Sequence, residues 1–126
     1  MKKRIYYYDT DCGGVVYYAN YLKYLEEART EFFEARGVFV KDLWASGIGF
    51  VVARQEIDYK FPGAYDDILD IRTWVNKVSR ASVEFEYEIK NQLGKVIASA
   101  KTVLVFVDKS LKPRSIPDDI KGKLNA

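Results

Sequence analysis

The sequence predicts an α+β domain in which one long helix covers a five-stranded antiparallel sheet. Three observations predict it: a helical apolar period in the first third of the chain, a period of two in the segments that follow, and short turns between those segments. Short turns favour antiparallel neighbours, and an amphipathic helix must bury its apolar stripe against another layer. Because 126 residues suit one domain, we expect a single domain over residues 1–126.

The first elements are a short strand, a turn and the long helix. Residues 3–8 are rich in tyrosine and predict the strand, and residues 9–14 predict the turn. Gly37 predicts the end of the helix, because glycine adopts the left-handed conformation of a C-terminal cap. The helix would have about 17 residues and a length of roughly 25 Å. One apolar stripe recurs along it at steps of three and four: Tyr18, Leu22, Leu25, Ala28, Phe32 and Ala35.

Four strands are predicted after the helix, over residues 51–61, 68–78, 83–89 and 96–107. The third of these alternates most clearly, with apolar side chains on one face and glutamates on the other, which predicts one buried and one exposed face. The last strand is apolar on both faces at residues 103–107, which predicts a central position in the sheet. A single helix leaves part of such a sheet uncovered, so we expect an obligate dimer.

Composition excludes several classes of site. A net charge of +2 without a basic block gives no basis for binding to nucleic acid or to a membrane surface. The chain has no histidine, which excludes Ser-His-Asp triads, Cys-His pairs and histidine-ligated metals. The single cysteine, Cys12, excludes an internal disulfide and favours a cytoplasmic protein. The N-terminus lacks the apolar stretch of a signal peptide, and no run of about 18 apolar residues could span a bilayer.

Residues 9–14 carry the candidate chemistry, because two carboxylates and two glycines immediately precede the helix. Glycines let a ligand approach the backbone, and a helix N-terminus offers N–H groups to a developing oxyanion. A carboxylate placed there could attack an acyl carbon or activate water. Ordinary loops with Asx turns and a helix cap have the same pattern, and this is the more common interpretation of the pattern alone.

A resemblance to a known family extends over nearly the whole chain. It is carried by Asp9-Thr10-Asp11-x-Gly13-Gly14-Val15-Val16-Tyr17, Asn20-Tyr21, Glu26-x-Ala28-Arg29, Tyr59-x-x-Pro62, Tyr65-Asp66-Asp67, Val107-Asp108 and Lys112-Pro113-Arg114. These motifs resemble the signature of the 4-hydroxybenzoyl-CoA thioesterase family, in particular its YbgC-like acyl-CoA thioesterase branch. The resemblance implies a hotdog fold, in which a curved antiparallel sheet wraps a long helix. It also implies acyl-CoA hydrolysis by homodimers or homotetramers with active sites at the subunit interface.

The resemblance also implies roles for single residues. The family's essential aspartate corresponds to Asp11, and its thioester-polarising amide corresponds to the N–H of Tyr18. Tyr7 matches a tyrosine of the YbgC-like branch. That branch usually has a histidine at the position of Tyr18, whereas the benzoyl-type relatives have tyrosine there. A backbone amide survives this change, so the polarising role is retained without a histidine.

Three cations are candidates for binding the CoA phosphates: Lys60, Lys77 and Arg80. A solvated surface charge is the alternative for each of them. No metal and no cofactor is expected, since CoA is part of the substrate.

Two other functions are weighed against hydrolysis. A hotdog dehydratase or hydratase is disfavoured by the absence of histidine. A non-catalytic module that binds acyl-CoA or acyl-carrier protein is disfavoured, more weakly, by the intact Asp11. The acyl group, the tetramer geometry, and the choice between direct attack by Asp11 and general-base catalysis stay open.

Overall fold

The computed structural model describes residues 1–125 and contains five strands, three α-helices and a short 3₁₀ turn at Tyr7–Asp9. The strands form one antiparallel sheet in the order β1-β3-β4-β5-β2. Across the described residues, no helix has the length and apolar content needed to cross a membrane. The elements in chain order are β1 (Lys2–Arg4), α1 (Asn20–Ala35), α2 (Val40–Ala45), β2 (Ile48–Tyr59), β3 (Ile68–Val78), β4 (Ser82–Lys90), β5 (Val96–Asp108) and α3 (Asp118–Asn125). The predicted α+β class and the five-stranded antiparallel sheet are confirmed.

Helix α1 ends as the sequence predicts, because Gly37 adopts a φ of 75° just beyond it and Val38 N–H donates to the Phe33 carbonyl. Its buried residues differ from the predicted stripe: Tyr21, Tyr24, Leu25, Ala28 and Phe33 face the sheet. Leu22 is 45% exposed, and Tyr18 lies before the helix and is exposed. The helix is rotated so that the larger aromatic side chains fill the core, and Leu22 lies on the flank nearest β2.

The core lies between α1 and the inner face of the sheet. Strand β4 alternates as predicted, and its apolar side chains, including Phe85, are fully buried. Phe85 packs edge-on against Phe32 and Phe33, with ring centroids 5.2 and 5.3 Å apart. The outer face carries charge: Glu86 lies 3.5 Å from the Lys101 ammonium and accepts a hydrogen bond from the Trp74 indole at 3.0 Å. Only the inner face of the sheet therefore contributes to the hydrophobic core of the described residues.

Two helices and several strand boundaries differ from the sequence prediction; β2, for example, is Ile48–Tyr59 where residues 51–61 were predicted. The first strand ends at Arg4, and the tyrosines that follow form the 3₁₀ turn instead. Helices α2 and α3 were not predicted, because six and eight residues are too few to show a helical period. Ile120 and Leu124 of α3 are buried. The long helix is therefore not the sole cover of the sheet, and the expectation of a dimer loses that part of its support.

We expect Gly49→Ala to destabilise the protein by about 1–3 kcal/mol, because adding a methyl group to space that is already occupied has this cost. A Cβ atom at Gly49 would overlap the indole ring of Trp44, which lies directly on the strand. Urea unfolding followed by circular dichroism measures the change. Gly122→Ala is the control: this glycine lies within α3, has no close neighbour, and should stabilise by about 0.5–1 kcal/mol. Equal stability of Gly49→Ala and wild type would contradict the packing described for Trp44.

Candidate active site

The loop before α1 presents the carboxylate of Asp11 to solvent. The Asp11 N–H donates to the Val15 carbonyl at 2.9 Å, and the Gly14 N–H donates to the Asp11 carbonyl at 3.1 Å. Gly14 has a φ of 79°, which an L side chain adopts only with strain. The Asp11 Oδ1 atom accepts the Gly13 N–H at 2.8 Å. The turn therefore orients an exposed carboxylate through one backbone amide.

Asp9 has the opposite environment, although it lies two residues earlier. It is only 6% exposed, and its Oδ2 atom accepts the Tyr6 N–H at 2.9 Å. Its backbone carbonyl accepts the Tyr17 N–H at 3.0 Å and the Asn20 side-chain amide at 2.8 Å. Burial, followed by the neighbouring Asp9 carboxylate, raises the pKa of Tyr24 above its ordinary value. Asp9 is thus an internal anchor that closes the loop onto the start of α1.

Tyr18 lies two residues before α1, where the backbone has not yet entered the helical hydrogen-bond ladder. The first amides of the helical turn are used, because Asn20 N–H donates to Tyr17 and Tyr21 N–H donates to Tyr18. Among the hydrogen bonds formed within residues 1–125, none has the Tyr18 N–H as its donor. The Tyr18 carbonyl accepts the Tyr59 hydroxyl at 3.3 Å. The Ala19 N–H likewise donates to no acceptor within residues 1–125. The helix start therefore offers two adjacent uncommitted amides, those of Tyr18 and Ala19, and the peptide between the two residues is held from the end of β2.

A cavity of about 280 Å³ lies beside Tyr18. The Tyr18 and Tyr59 rings meet edge to face, with centroids 6.3 Å apart. The walls are mainly aromatic and apolar: Val16, Tyr18, Tyr21, Tyr59, Lys60, Phe61 and Pro62 line the cavity. Such a cavity can hold an apolar group, with a single cation, Lys60, in its lining.

The three candidate CoA-binding cations do not lie together in one chain. Lys60 follows Tyr59, which pairs with Ala98 at the start of β5. Lys77 and Arg80 lie around the β3–β4 turn, where Ser82 pairs with Val105. Positions 98 and 105 are seven residues apart along β5, or roughly 23 Å at the rise of a strand. The two groups of cations are therefore at opposite ends of the sheet.

Tyr7 was expected in the first strand but lies beyond it, and Arg80 lies at the turn between β3 and β4. Tyr7 is on the 3₁₀ turn and is 78% exposed, with its ring edge-on to Tyr65 at 5.9 Å. The Arg80 guanidinium donates to Ser115 Oγ at 2.7 Å. Asn20 and Tyr59 hold the loop and the helix start, but the sequence interpretation gave them no role. Both belong to the quoted motifs Asn20-Tyr21 and Tyr59-x-x-Pro62, which was the available signal.

Comparisons with known proteins agree with this architecture. The thioesterase-like superfamily matches residues 6–124. The acyl-CoA thioesterase YbgC of Haemophilus influenzae is 38% identical over 121 residues, which cover 94% of this chain and 88% of that protein. The acyl-CoA thioester hydrolase YbgC of Escherichia coli O157:H7 is 36% identical over 118 residues, covering 93% of this chain and 88% of that protein. The crystal structure of a hypothetical protein from Aquifex aeolicus superposes with a TM-score of 0.92 at 30% identity, covering 98% of this chain and 97% of that one.

The fold and the loop before α1 define a protein of the hotdog class, with a long helix wrapped by an antiparallel sheet. The chain belongs to the thioesterase-like superfamily. It is a thioester hydrolase, as are its named relatives.

Proposed function

We propose that this protein hydrolyses acyl-CoA thioesters to a free acid and CoA, with Asp11 as the catalytic carboxylate and the Tyr18 amide as the oxyanion donor. The relatives from Haemophilus influenzae and Escherichia coli, named acyl-CoA thioesterase and hydrolase, support the substrate class. The observation that carries the mechanism is that the segment before α1 contains both an exposed carboxylate, oriented by one backbone hydrogen bond, and the uncommitted amide of Tyr18.

In the proposed reaction, the Tyr18 N–H binds the thioester carbonyl oxygen and stabilises the negative charge that develops on it. Asp11 either attacks the carbonyl carbon, forming an anhydride that water then cleaves, or accepts a proton from the attacking water. Collapse of the tetrahedral intermediate breaks the carbon–sulfur bond, and CoA leaves as a thiolate. The products are the carboxylic acid and CoA, and the reaction uses neither a metal nor a cofactor.

The cavity beside Tyr18 is the proposed site for the acyl group, because its aromatic walls offer apolar surface next to the amide. Lys60 lies in its lining and is the proposed contact of this subunit with the CoA phosphates. Lys77 and Arg80 lie at the other end of the sheet, so they can serve the same CoA only from a second subunit. A cytoplasmic location is proposed from the single, exposed thiol of Cys12.

A homodimer with sites at the subunit interface is proposed from the edge of the sheet. Strand β2 has 12 residues and pairs only with β5, which leaves a long edge that proteins usually cover. A groove of about 330 Å³ runs between α1 and this strand. Leu22 and Val52 line the groove and are 45% and 51% exposed. A second copy of the chain, related by a twofold axis, would cover both the edge and the groove.

Replacing Asp11 by asparagine should abolish most of the turnover while the fold is retained. General-base assistance is worth roughly 10²–10⁴-fold in rate, and loss of a nucleophile costs more. Release of CoA from several acyl-CoAs is followed with DTNB at catalytic enzyme concentrations, because the exposed Cys12 also reacts with this reagent. Asp119→Asn, in the first turn of α3 and exposed, is the charge-matched control. If Asp11→Asn turns over within a few-fold of the wild-type rate, Asp11 is not part of the mechanism. If the wild-type protein binds acyl-CoA without releasing CoA, the protein is a binding module.

Changing Tyr18 to phenylalanine should leave the rate within about tenfold of wild type. The backbone N–H is unchanged, and a phenolic hydrogen bond contributes only about 0.5–1.5 kcal/mol. A loss of 10²-fold or more, with an unchanged circular dichroism spectrum, would show that the phenol itself acts in the chemistry. Tyr18→His is the companion variant. If the backbone amide acts, the pH profile of the rate should be the same as that of the wild type. If the side chain acts, the rate should depend on pH at about 6.5, where imidazole titrates.

The wild-type protein should elute as a dimer, with twice the chain mass of 14.5 kDa, or as a dimer of dimers, at micromolar concentration. Val52→Lys should shift it towards the monomer and reduce turnover, since a charge would enter the proposed interface. Leu93→Lys is the matched control, because Leu93 lies on the β4–β5 hairpin and is highly exposed. Light scattering measures both masses, and an active wild-type monomer would overturn the shared-site arrangement.

A further inference from the structure

A turn at residues 62–67, called here the support turn, forms a wall of the loop that carries Asp11. The Val16 N–H donates to the Gly63 carbonyl at 2.8 Å, and Val15 forms an antiparallel bridge with Ala64. Val15 is also the residue whose carbonyl accepts the Asp11 N–H at 2.9 Å. The loop of residues 9–17, called here the catalytic loop, is therefore hydrogen-bonded directly to the support turn.

The support turn is itself fixed from two sides. On the helix side, the buried hydroxyl of Tyr21 accepts the Gly63 N–H at 3.1 Å. A Cβ atom on Gly63 would lie 2.9 Å from that hydroxyl and 3.2 Å from a methyl group of Val16. The backbone must approach closely here, so a small shift of the turn would be transmitted to the catalytic loop.

On the sheet side, both oxygens of the Asp67 carboxylate are used. Oδ2 accepts the Ala64 N–H at 2.9 Å, and Oδ1 accepts the Gln92 side-chain amide at 2.8 Å. The Gln92 oxygen in turn accepts the Ile68 N–H at 3.0 Å. Gln92 lies in the turn between β4 and β5, so the carboxylate ties the support turn to the rigid end of the sheet.

Its neighbour Asp66 has no such role. It is exposed and pairs with Arg4 at 2.6 Å on the surface. Its φ of 72° lies in the left-handed region, which aspartate and asparagine tolerate better than most residues. Asp66 and Asp67 are therefore adjacent carboxylates that can be compared directly, because only the Asp67 side chain forms a hydrogen bond within the support turn.

We infer that Asp67 is a positioning residue for the thioesterase reaction, acting through Ala64 and Val15 on the placement of Asp11. The inference rests on the proposed function of Asp11 and adds a residue that does not touch the substrate. Asparagine at position 67 keeps the size of the side chain but turns one acceptor into a donor. That donor would face either the Ala64 N–H or the Gln92 amide. Rotating the Gln92 amide to relieve the conflict would break its bond to Ile68.

The test compares Asp67→Asn with Asp66→Asn in the CoA-release assay, because each variant removes one negative charge from the same turn. Displacing a catalytic group by about 1 Å costs up to 10²-fold in rate, so Asp67→Asn should lower kcat about tenfold or more. Its KM should stay within about threefold, since the cavity beside Tyr18 is unchanged. Asp66→Asn should stay within about twofold in both constants. A kcat for Asp67→Asn within twofold of wild type, or an equal loss in Asp66→Asn, would overturn the inference.

A second comparison separates positioning from a general structural role. If Asp67 acts through Asp11, the double variant Asp11→Asn, Asp67→Asn should have the same residual rate as Asp11→Asn alone. A further loss in the double variant would overturn the inference. Where Asp11→Asn abolishes turnover and Asp67→Asn keeps its kcat within twofold of wild type, only the positioning role fails. Where Asp11→Asn keeps its turnover, the proposed function fails and the inference with it.

Gln92→Leu provides a test that does not depend on the folding of Asp67→Asn. Gln92 is exposed, so its replacement leaves the core intact and removes the lateral partner of the Asp67 carboxylate together with the acceptor of the Ile68 N–H. We expect kcat to fall about threefold or more with the KM retained. If Gln92→Leu has the same circular dichroism spectrum as the wild type and an unchanged kcat, the result would also count against the role of Asp67.

Discussion

The backbone oxygen of Asp9 accepts two hydrogen bonds, from the Tyr17 N–H and from the Asn20 side-chain amide, and the geometry of the site depends on them. They close the loop of residues 9–17 onto the first turn of α1. The carboxylate of Asp11 and the amide of Tyr18 are then parts of one closed structure. A buried donor or acceptor left without its partner costs about 1–3 kcal/mol, which keeps the closed form dominant.

The two aspartates of the loop show how environment divides one chemical group between two roles. Asp9 is buried and its carboxylate is used internally, by the Tyr6 N–H. Asp11 is exposed and accepts one backbone bond, from Gly13, which leaves lone pairs for chemistry. The Asp9 carboxylate holds the start of the loop, and the turn orients the carboxylate of Asp11, which is the proposed catalytic group. Preorganisation of this kind places a catalytic group without any rearrangement during the reaction.

The sheet determines which parts of the proposed active site a single subunit can supply. Its outer face is covered with charges that satisfy one another, such as Glu86 with Lys101, so the apolar contacts available for assembly lie elsewhere. They lie along α1 and the edge strand β2, beside the aromatic cavity. Strand register places Lys60 at one end of the sheet and Arg80 at the other. A twofold axis perpendicular to β2 at this edge would make the two copies of β2 antiparallel and bring opposite ends of the two sheets together, which is why the proposed dimer and the proposed CoA site depend on each other.

Much of the fold was predictable because its signals are local. Strands β3 to β5 show their period of two within a few residues, and Gly37 marks the end of α1 by its own backbone preference. Helices α2 and α3 were missed because each is shorter than the window in which a helical period becomes visible. Leu22 and Tyr18 were wrongly assigned to the buried stripe, since the rotation of α1 depends on which side chains the sheet can accommodate.

The sequence by itself determined the fold class, the absence of histidine chemistry and the position of the loop that carries Asp11, because residue type and local spacing decide all three. Only the tertiary structure decided which aspartate is buried, since Asp9 and Asp11 lie two residues apart in one turn-forming segment and differ in what packs over them. It also decided that Lys60 lies far from Lys77 and Arg80, and that Asp67 bonds to Ala64, which forms a bridge with Val15 in the loop that carries Asp11. These residues are tens of positions apart in the sequence. Strand register and loop packing, rather than local conformational preference, determine the distances between them.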